Sequence, residues 1–355
     1  MVMEKTLLAQ SLNEIIQSKV KPNVRRIDED AYHPLEFFQE LGKSGLLNSR
    51  GALEKEVLFG GVRLVEETAQ TCMTTAFTLW CHLAGLTYLR KCENAFLKSD
   101  VLPKLESGEW LGGTGLSNAL KYYAGLERLR LKAKRVSGGY VVSGHLPSVS
   151  NLGPHTWFGI IASVDERYRI MAFVPCHADN LVLKEKRDYL GINGSATYAC
   201  SFRDVFVPEA WIISEQADDF VKRVRPVFLL YQIPLGLGVT QAAIRSIERM
   251  KGKQGECNQY LPIQAADLDR ELQSLREKTY QFTESNDLTN RWNDLLQVRL
   301  AVAYLTSKAV YAEMLHHGGE SYLRYCDSSR RLRESYFLVH LTPTVKHLEK
   351  LLKGM

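Results

Sequence analysis

The hydrophobic period of this chain switches twice, and that double switch limits its fold more than any single motif does. In residues 1–108 apolar side chains recur at three- and four-residue spacing, as in LLAQSLNEIIQ (7–17) and PLEFFQELGKSGLL (34–47). The spacing predicts a helix over 7–17 and a second one opened by Pro34, with Gly42 in the position of a C-cap glycine. The stretch 60–92, GGVRLVEETAQTCMTTAFTLWCHLAGLTYLRKC, reads as one long buried helix. From 109 to 215 the period falls to two, in LRLKAKRV, YVVSG, WFGIIASV, YRIMAFVP and ATYACSFRDVFVP. Ser137-Gly138-Gly139, between two alternating runs, predicts a hairpin. From 216 to 355 the helical period returns in four runs, separated by loops at 251–262 and 284–292. The expected architecture is α+β and multi-domain, with a helical N-terminal domain (1–108), a middle β-barrel (109–215) and a C-terminal four-helix bundle (216–355).

Charge and composition exclude several functions. With 45 Lys+Arg against 40 Asp+Glu, a net +5 on 355 residues and no long basic run, the surface is a solvated one and no nucleic-acid footprint. Thr68–Leu89 carries no formal charge and is long enough to span a bilayer, but its six threonines, Gln70 and His82 point to a helix inside a large domain. Charged residues at Glu4, Lys5 and Glu14 interrupt any signal-peptide core. Seven cysteines, an odd number with no CxxC pair, read as buried reduced thiols of a cytoplasmic protein. No GxGxxG, GxxxxGK[ST], HExxH or GxSxG pattern is present. The adjacent His316 and His317 diverge by about 100° on a helix and do not chelate one metal.

Four segments, in order, resemble the acyl-CoA dehydrogenase superfamily of flavoproteins. They are FFQELGKSGLL (37–47), LPKLESGEWLGGTGLSN (102–118), AKRVSGGYVVSGHLPSVSN (133–151) and LGINGSATYACSFRDVFVPE (190–209). The resemblance implies a flavin, normally FAD, held between the β-domain and the bundle. It places the strand Leu111, Gly112, Gly113 and Thr114 along the flavin pyrimidine edge, with the glycines permitting close approach. Ser117 and Asn118 fall near the pyrophosphate. Ser148, Val149 and Ser150 match the family's "WiT" element, in which Ser150 keeps the hydroxyl near flavin N5 and Ser148 replaces the stacking tryptophan.

The departures bear on chemistry. Dehydrogenation of an acyl thioester needs a base for the α-proton. The family's glutamate has no counterpart in VHLTPTVKHLE (339–349) before Glu349, nor in YQIPLGLGVTQAAI (231–244). ERMKGKQGECNQY (248–260) lacks the family's "Q..GG" helix for the adenine end of FAD. The two-component flavin monooxygenases of the same fold resemble the chain at His82, at Ser150, and at His340 after Arg333-Glu334, where they would stabilise an oxygenated flavin; FMN then becomes an alternative cofactor. Arg330 and Arg333 read as structural ion pairs, and Lys132, Lys134 and Arg135 as solvated charge or CoA-phosphate contacts. The expected function is flavin-dependent oxidation of a carbon centre in an acyl or acyl-like small molecule, by a homodimer or homotetramer served by an electron-transfer partner. The alternatives are a reduced-flavin- and O2-dependent monooxygenase served by a flavin reductase, and a flavin-free scaffold. Neither membrane nor nucleic acid is an expected partner.

Overall fold

A computed structural model describes residues 10–285 and 287–354. Residues 7–9 of the predicted first helix lie outside the described residues, and its remainder is helical over 10–15 (α1). Val24–Glu29 (α2), Leu35–Lys43 (α3), Glu54–Thr71 (α4), Met73–Lys91 (α5) and Leu102–Glu106 (α6) complete the N-terminal domain. Pro34 caps α3 as expected, but Gly42 is not its C-cap. The helix runs to Lys43 and the left-handed turn falls on Gly45 (φ 75°). Gly42 is instead required by packing, because a Cβ there would lie 2.0 Å from the Ser107 carbonyl oxygen.

The long helix predicted over 60–92 is two helices, broken where Cys72 turns extended (φ −152°, ψ 110°). Its thiol accepts the Thr75 N–H, and Glu334 from the far end of the chain accepts both the N–H (3.1 Å) and the hydroxyl (2.8 Å) of Thr74. Side chains thus satisfy donors at the start of α5 that a continuous helix would have used internally. From Met73 to Leu89, α5 is buried on every face, which accounts for its uncharged composition. By composition Ala217–Glu248 is also long and apolar enough to cross a membrane, yet it lies buried inside the protein.

The middle domain is one mixed eight-stranded sheet. Its strands are Leu111–Thr114 (β1), Leu131–Val136 (β2), Gly139–Val149 (β3), Thr156–Ser163 (β4), Arg169–Pro175 (β5), Leu181–Lys186 (β6), Thr197–Pro208 (β7) and Ile212–Ser214 (β8). The order is β6-β7-β3-β2-β4-β5-β8, with β1 running parallel beside β4. The end strands β6 and β8 share no ladder among the described residues, so the expected barrel is an open sheet curled over its own core. The predicted hairpin is present, with Val136 opposite Gly139 and Gly138 at φ 78°. The sequence reading missed β6, whose LVLKEK is charged, and β8, which has three residues.

Strands β4 and β5 read as unbroken apolar runs because both their faces are covered. Phe158, Ile160 and Ala162 with Ile170, Ala172 and Val174 point into the sheet's own core. Trp157, Ile161, Met171 and Phe173 point into the core shared with the helices. Between β1 and β2, Ser117–Tyr123 forms α7. The bundle is Ala217–Leu230 (α8), Ile233–Glu248 (α9), Ala265–Thr283 (α10), Trp292–His317 (α11), Asp327–His340 (α12) and Val345–Lys353 (α13). Helices α9 and α11 pack on each other and both pack on α10 and α12, α8 and α13 pack on α11, and α4 of the N-terminal domain packs along α9. The seven cysteines are unpaired; five are buried, whereas Cys257 is exposed and Cys326 partly so.

Helix α5 meets β1 backbone to backbone at Gly85 and Gly112, where a Cβ on Gly85 would stand 2.9 Å from the Gly112 Cα. Gly85→Ala is expected to cost about 1–3 kcal/mol by overpacking. Gly60→Ala, on the same domain's α4 where a Cβ meets nothing within 4 Å, is expected to be neutral or stabilising by up to about 1 kcal/mol. Urea unfolding of the two variants checks the contrast, and equal stabilities would refute the close-approach argument.

Candidate active site

The strand that the resemblance aligns with a flavin is fixed at one peptide. On one side the Gly112 N–H donates to Nδ1 of His82 (2.9 Å). On the other the Gly112 carbonyl accepts from Nδ2 of Asn151 (2.8 Å). Because Nδ1 is an acceptor, His82 carries its proton on Nε2, which donates to the Leu105 carbonyl (3.1 Å). The Oδ1 of Asn151 in turn accepts from His33 Nε2 (2.8 Å). This chain fastens β1 to α5, to α6 and to the loop that follows α2. Burial pushes the pKa of His82 down to about 3 and that of His33 to about 4. Both ring nitrogens of His82 are occupied and the side chain is fully buried, so it has no proton or lone pair left for a ligand. Gly112 and Gly113 do permit close approach, but of protein: a Cβ on Gly113 would lie 3.0 Å from Phe158 and 3.1 Å from Leu152.

Two hydroxyls stand on this edge. Thr114 Oγ1 is 2.7 Å from the hydroxyl of Tyr88, which is wholly buried. Ser150 Oγ is 2.7 Å from Thr197 Oγ1, itself 2.8 Å from Ser195 Oγ. Buried hydroxyl protons need acceptors. Tyr88 and Ser195 therefore donate outward along their chains, and Thr114 and Ser150, both partly exposed, keep their own O–H free. The Ser150 backbone approaches β1 at Gly113, its carbonyl 3.4 Å from a Cβ built there.

The remaining candidates are spread more widely. Val149 is buried and pairs with Tyr198. Ser148 is exposed and donates to the Pro147 carbonyl (2.7 Å). Asn118 is tied up in the loop after α7: its Nδ2 donates to Glu127 and to the Arg128 carbonyl, and its Oδ1 accepts the Arg130 N–H. Ser117 Oγ bonds Thr342 Oγ1 at 2.9 Å, closing α7 against the loop between α12 and α13. His340 is exposed at the end of α12 and shares no contact with His82. Arg330 pairs with Glu334 (2.8 Å) and Asp327, and Arg333 holds Asp28 bidentately at 2.7 and 2.5 Å, so both are ion pairs as the sequence suggested. Lys132 and Lys134 are exposed, and Arg135 reaches Glu215 at 3.5 Å. His316 and His317 separate, to the Ile263 carbonyl and to Ser246.

Several residues that build this edge went unread: His33, Tyr88, Asn151, Ser195, Thr197 and Thr342. Only Asn151 carried a signal, as an asparagine ending a strand motif, where its positive φ of 61° is tolerated. The loop at 341–344 is set from inside the bundle. Buried Arg299 donates to the Leu338 carbonyl (2.8 Å) and to Gln232 Oε1 (3.2 Å), and Gln232 Nε2 holds the Thr342 carbonyl (2.9 Å). Between α5, α8 and α12 the space is filled by Phe77, Trp80, Phe228 and Phe337, with ring centroids 4.5 to 5.7 Å apart. A separate cavity of about 490 Å³ opens beside Leu46, Val57, Gly61 and Arg90, and touches none of the candidate flavin residues.

The clamp makes the protein acid-sensitive in a defined direction. His82 titrates near 3 when folded and near 6.5 when unfolded, so its contribution is complete above pH 6.5 and is lost as the pH falls toward 3, by about 1.4 kcal/mol per pH unit. Urea unfolding at pH 6 and pH 4 should show stability dropping with at least one proton taken up on unfolding; a flat profile would mean that His82 is protonated in the folded protein.

Comparison with known proteins agrees with the motif reading. Residues 3–109 match the acyl-CoA dehydrogenase N-terminal domain. Isovaleryl-CoA dehydrogenase of Arabidopsis thaliana is 26% identical, across 92% of this chain and 84% of the plant protein. Among solved structures, glutaryl-CoA dehydrogenase in complex with glutaryl-CoA superposes with a TM-score of 0.88 at 18% identity, over 99% of this chain and 94% of that one. Dibenzothiophene monooxygenase of Paenibacillus sp. A11-2 follows the same path with a TM-score of 0.79 at 15% identity, over 97% and 95%. The described residues therefore have the acyl-CoA dehydrogenase fold, and in sequence the chain is similar to acyl-CoA dehydrogenases along nearly its whole length.

Proposed function

We propose that the protein is a flavin-dependent oxidoreductase that binds FAD along the β1 edge and oxidises a carbon centre of an acyl or acyl-like small molecule. The observation that carries this reading is the pair of partly exposed residues Thr114 and Ser150, each with a hydroxyl bonded to one other hydroxyl, beside a strand whose central peptide His82 and Asn151 grip. An edge with two unspent O–H donors fits a flavin ring, whose pyrimidine side and N5 are acceptors. When bound, the flavin supplies a hydride acceptor. The protein's own part is to orient the ring through Thr114 and Ser150 and to keep water out with the packed rings of Phe77, Trp80, Phe228 and Phe337. Ser148, turned to solvent, stacks on nothing, so orientation rests on the hydroxyls.

The proton acceptor is the point where the chain departs from its relatives. The loop between α12 and α13 presents Thr342, bonded to Ser117, where the resemblance places a glutamate. That absence supports a second reading, a monooxygenase using reduced flavin, FMN or FAD, and O2, with a flavin reductase as partner. Either reading is compatible with a homo-oligomer: Tyr304, Tyr311 and Leu315 lie on one face of α11 and are 51%, 56% and 37% exposed. The unpaired cysteines support a cytoplasmic location.

The visible spectrum of the purified protein, titrated with FAD, tests the flavin site. Ser150→Ala and Thr114→Val are each expected to weaken flavin binding by about 0.5–1.5 kcal/mol, or roughly two- to tenfold. Unchanged affinity in both would remove these hydroxyls from the site. Anaerobic bleaching by an acyl thioester favours dehydrogenation, and selective binding of reduced flavin with O2-dependent product formation favours the monooxygenase. Failure to bind either flavin would sink both.

A further inference from the structure

A second, smaller cavity of about 70 Å³ lies where α7, α8, α11 and α13 meet, and it is lined by Tyr123, Arg225, Phe228, Trp292, Pro343 and His347. Two of these side chains present basic nitrogens with nothing to bond. The Nε of Arg225 is buried without a partner, and among the described residues the guanidinium makes no ion pair; its carbon stands 4.4 Å from the centroid of the Trp292 ring. The side chain of His347 is 5% exposed and its Nδ1 is likewise buried without a partner. Among the other lining residues, Tyr123 already donates its hydroxyl to Asp218 (2.8 Å). That carboxylate is claimed by Arg169 as well, in a bidentate pair. Burial, and after it the charges of Lys121 and Lys350, hold the pKa of His347 down, and Lys121 is itself paired with Glu127 at 2.9 Å. The adjoining loop, where the resemblance calls for a glutamate, supplies Thr342 and Pro343 instead.

A buried Nε–H with no acceptor is expensive, and unpaired buried polar atoms are rare enough to call for an explanation. We propose that this cavity is a carboxylate-binding site, in which Arg225 and His347 hold the carboxylate of a small organic acid or the carboxylate end of a longer one. Arginine's fork suits a planar carboxylate, and the Trp292 ring holds a cation–π contact with that fork. The volume admits a carboxylate and one or two carbons, with the chain of a longer acid leaving past Pro343 toward the loop at 341–344. The proposal needs no flavin: none of the lining residues is a candidate flavin residue, and only Phe228 also belongs to the ring cluster between α5, α8 and α12.

The test uses the full chain without added flavin, at constant ionic strength and pH, titrated with acetate, glutarate and acetamide while the histidine ring resonances are followed by NMR. Acetate or glutarate should move one histidine signal saturably, that signal should be missing in His347→Asn, and acetamide should leave it in place. Arg225→Gln should weaken the effect at least tenfold, with Arg225→Lys intermediate. Equal response to acetate and glutarate identifies a small free acid as the ligand, and a clear preference for glutarate identifies the end of a longer one. A non-saturating response matching that to chloride, or a response to acetamide as strong as to acetate, would overturn the proposal with the wild-type protein alone.

Discussion

The Gly112 peptide is the constraint on which the rest of the site depends. Its N–H and carbonyl face away from β4, and both are taken by buried side chains, one from the long central helix and one from the end of β3. A strand edge held at both polar atoms has no freedom to slide in register, so its neighbours Gly113 and Thr114 are positioned by the same bonds. The arrangement works only because Gly85 and Gly112 allow helix and strand backbones to touch. Any side chain there would push the imidazole out of reach of the peptide, and the buried donors would be left without partners.

A buried charge does comparable work in the bundle. Arg299 is wholly enclosed without a carboxylate, burial holds its pKa down to about 10, and one of its Nη atoms has no partner. Such a group is costly to keep. What it secures is the turn after α12, through the Leu338 carbonyl directly and the Thr342 carbonyl by way of Gln232. The loop that faces the β-domain is thus set from the middle of the bundle rather than from the surface.

The architecture was legible because each domain has its own hydrophobic period, and the double coverage of β4 and β5 is written as their unbroken apolar runs. The site was legible only in its outer layer. Thr114 and Ser150 were singled out by motif, but the residues bonded to them are a tyrosine on an apolar helix and a serine and threonine in a strand approach, none distinguishable in sequence from ordinary packing. His82 shows the opposite error. A histidine in an apolar helix near a presumed flavin suggested chemistry, whereas its two hydrogen bonds are fully spent on backbone. Cys72 and Gly42 misled for a related reason: the features that break one helix and constrain another come from Glu334 and Ser107, distant in sequence.

The hydroxyl pairs on the β1 edge have one more consequence. A hydroxyl that accepts from a neighbour becomes a stronger donor itself, because each bond in a chain polarises the next. Tyr88 and Ser195 lie beyond the reach of any ligand, yet they load the oxygens of Thr114 and, by way of Thr197, of Ser150. The hydrogen-bonding strength that this edge offers to whatever binds it is therefore tuned from the hydrophobic core, by side chains that a comparison of surface residues would pass over.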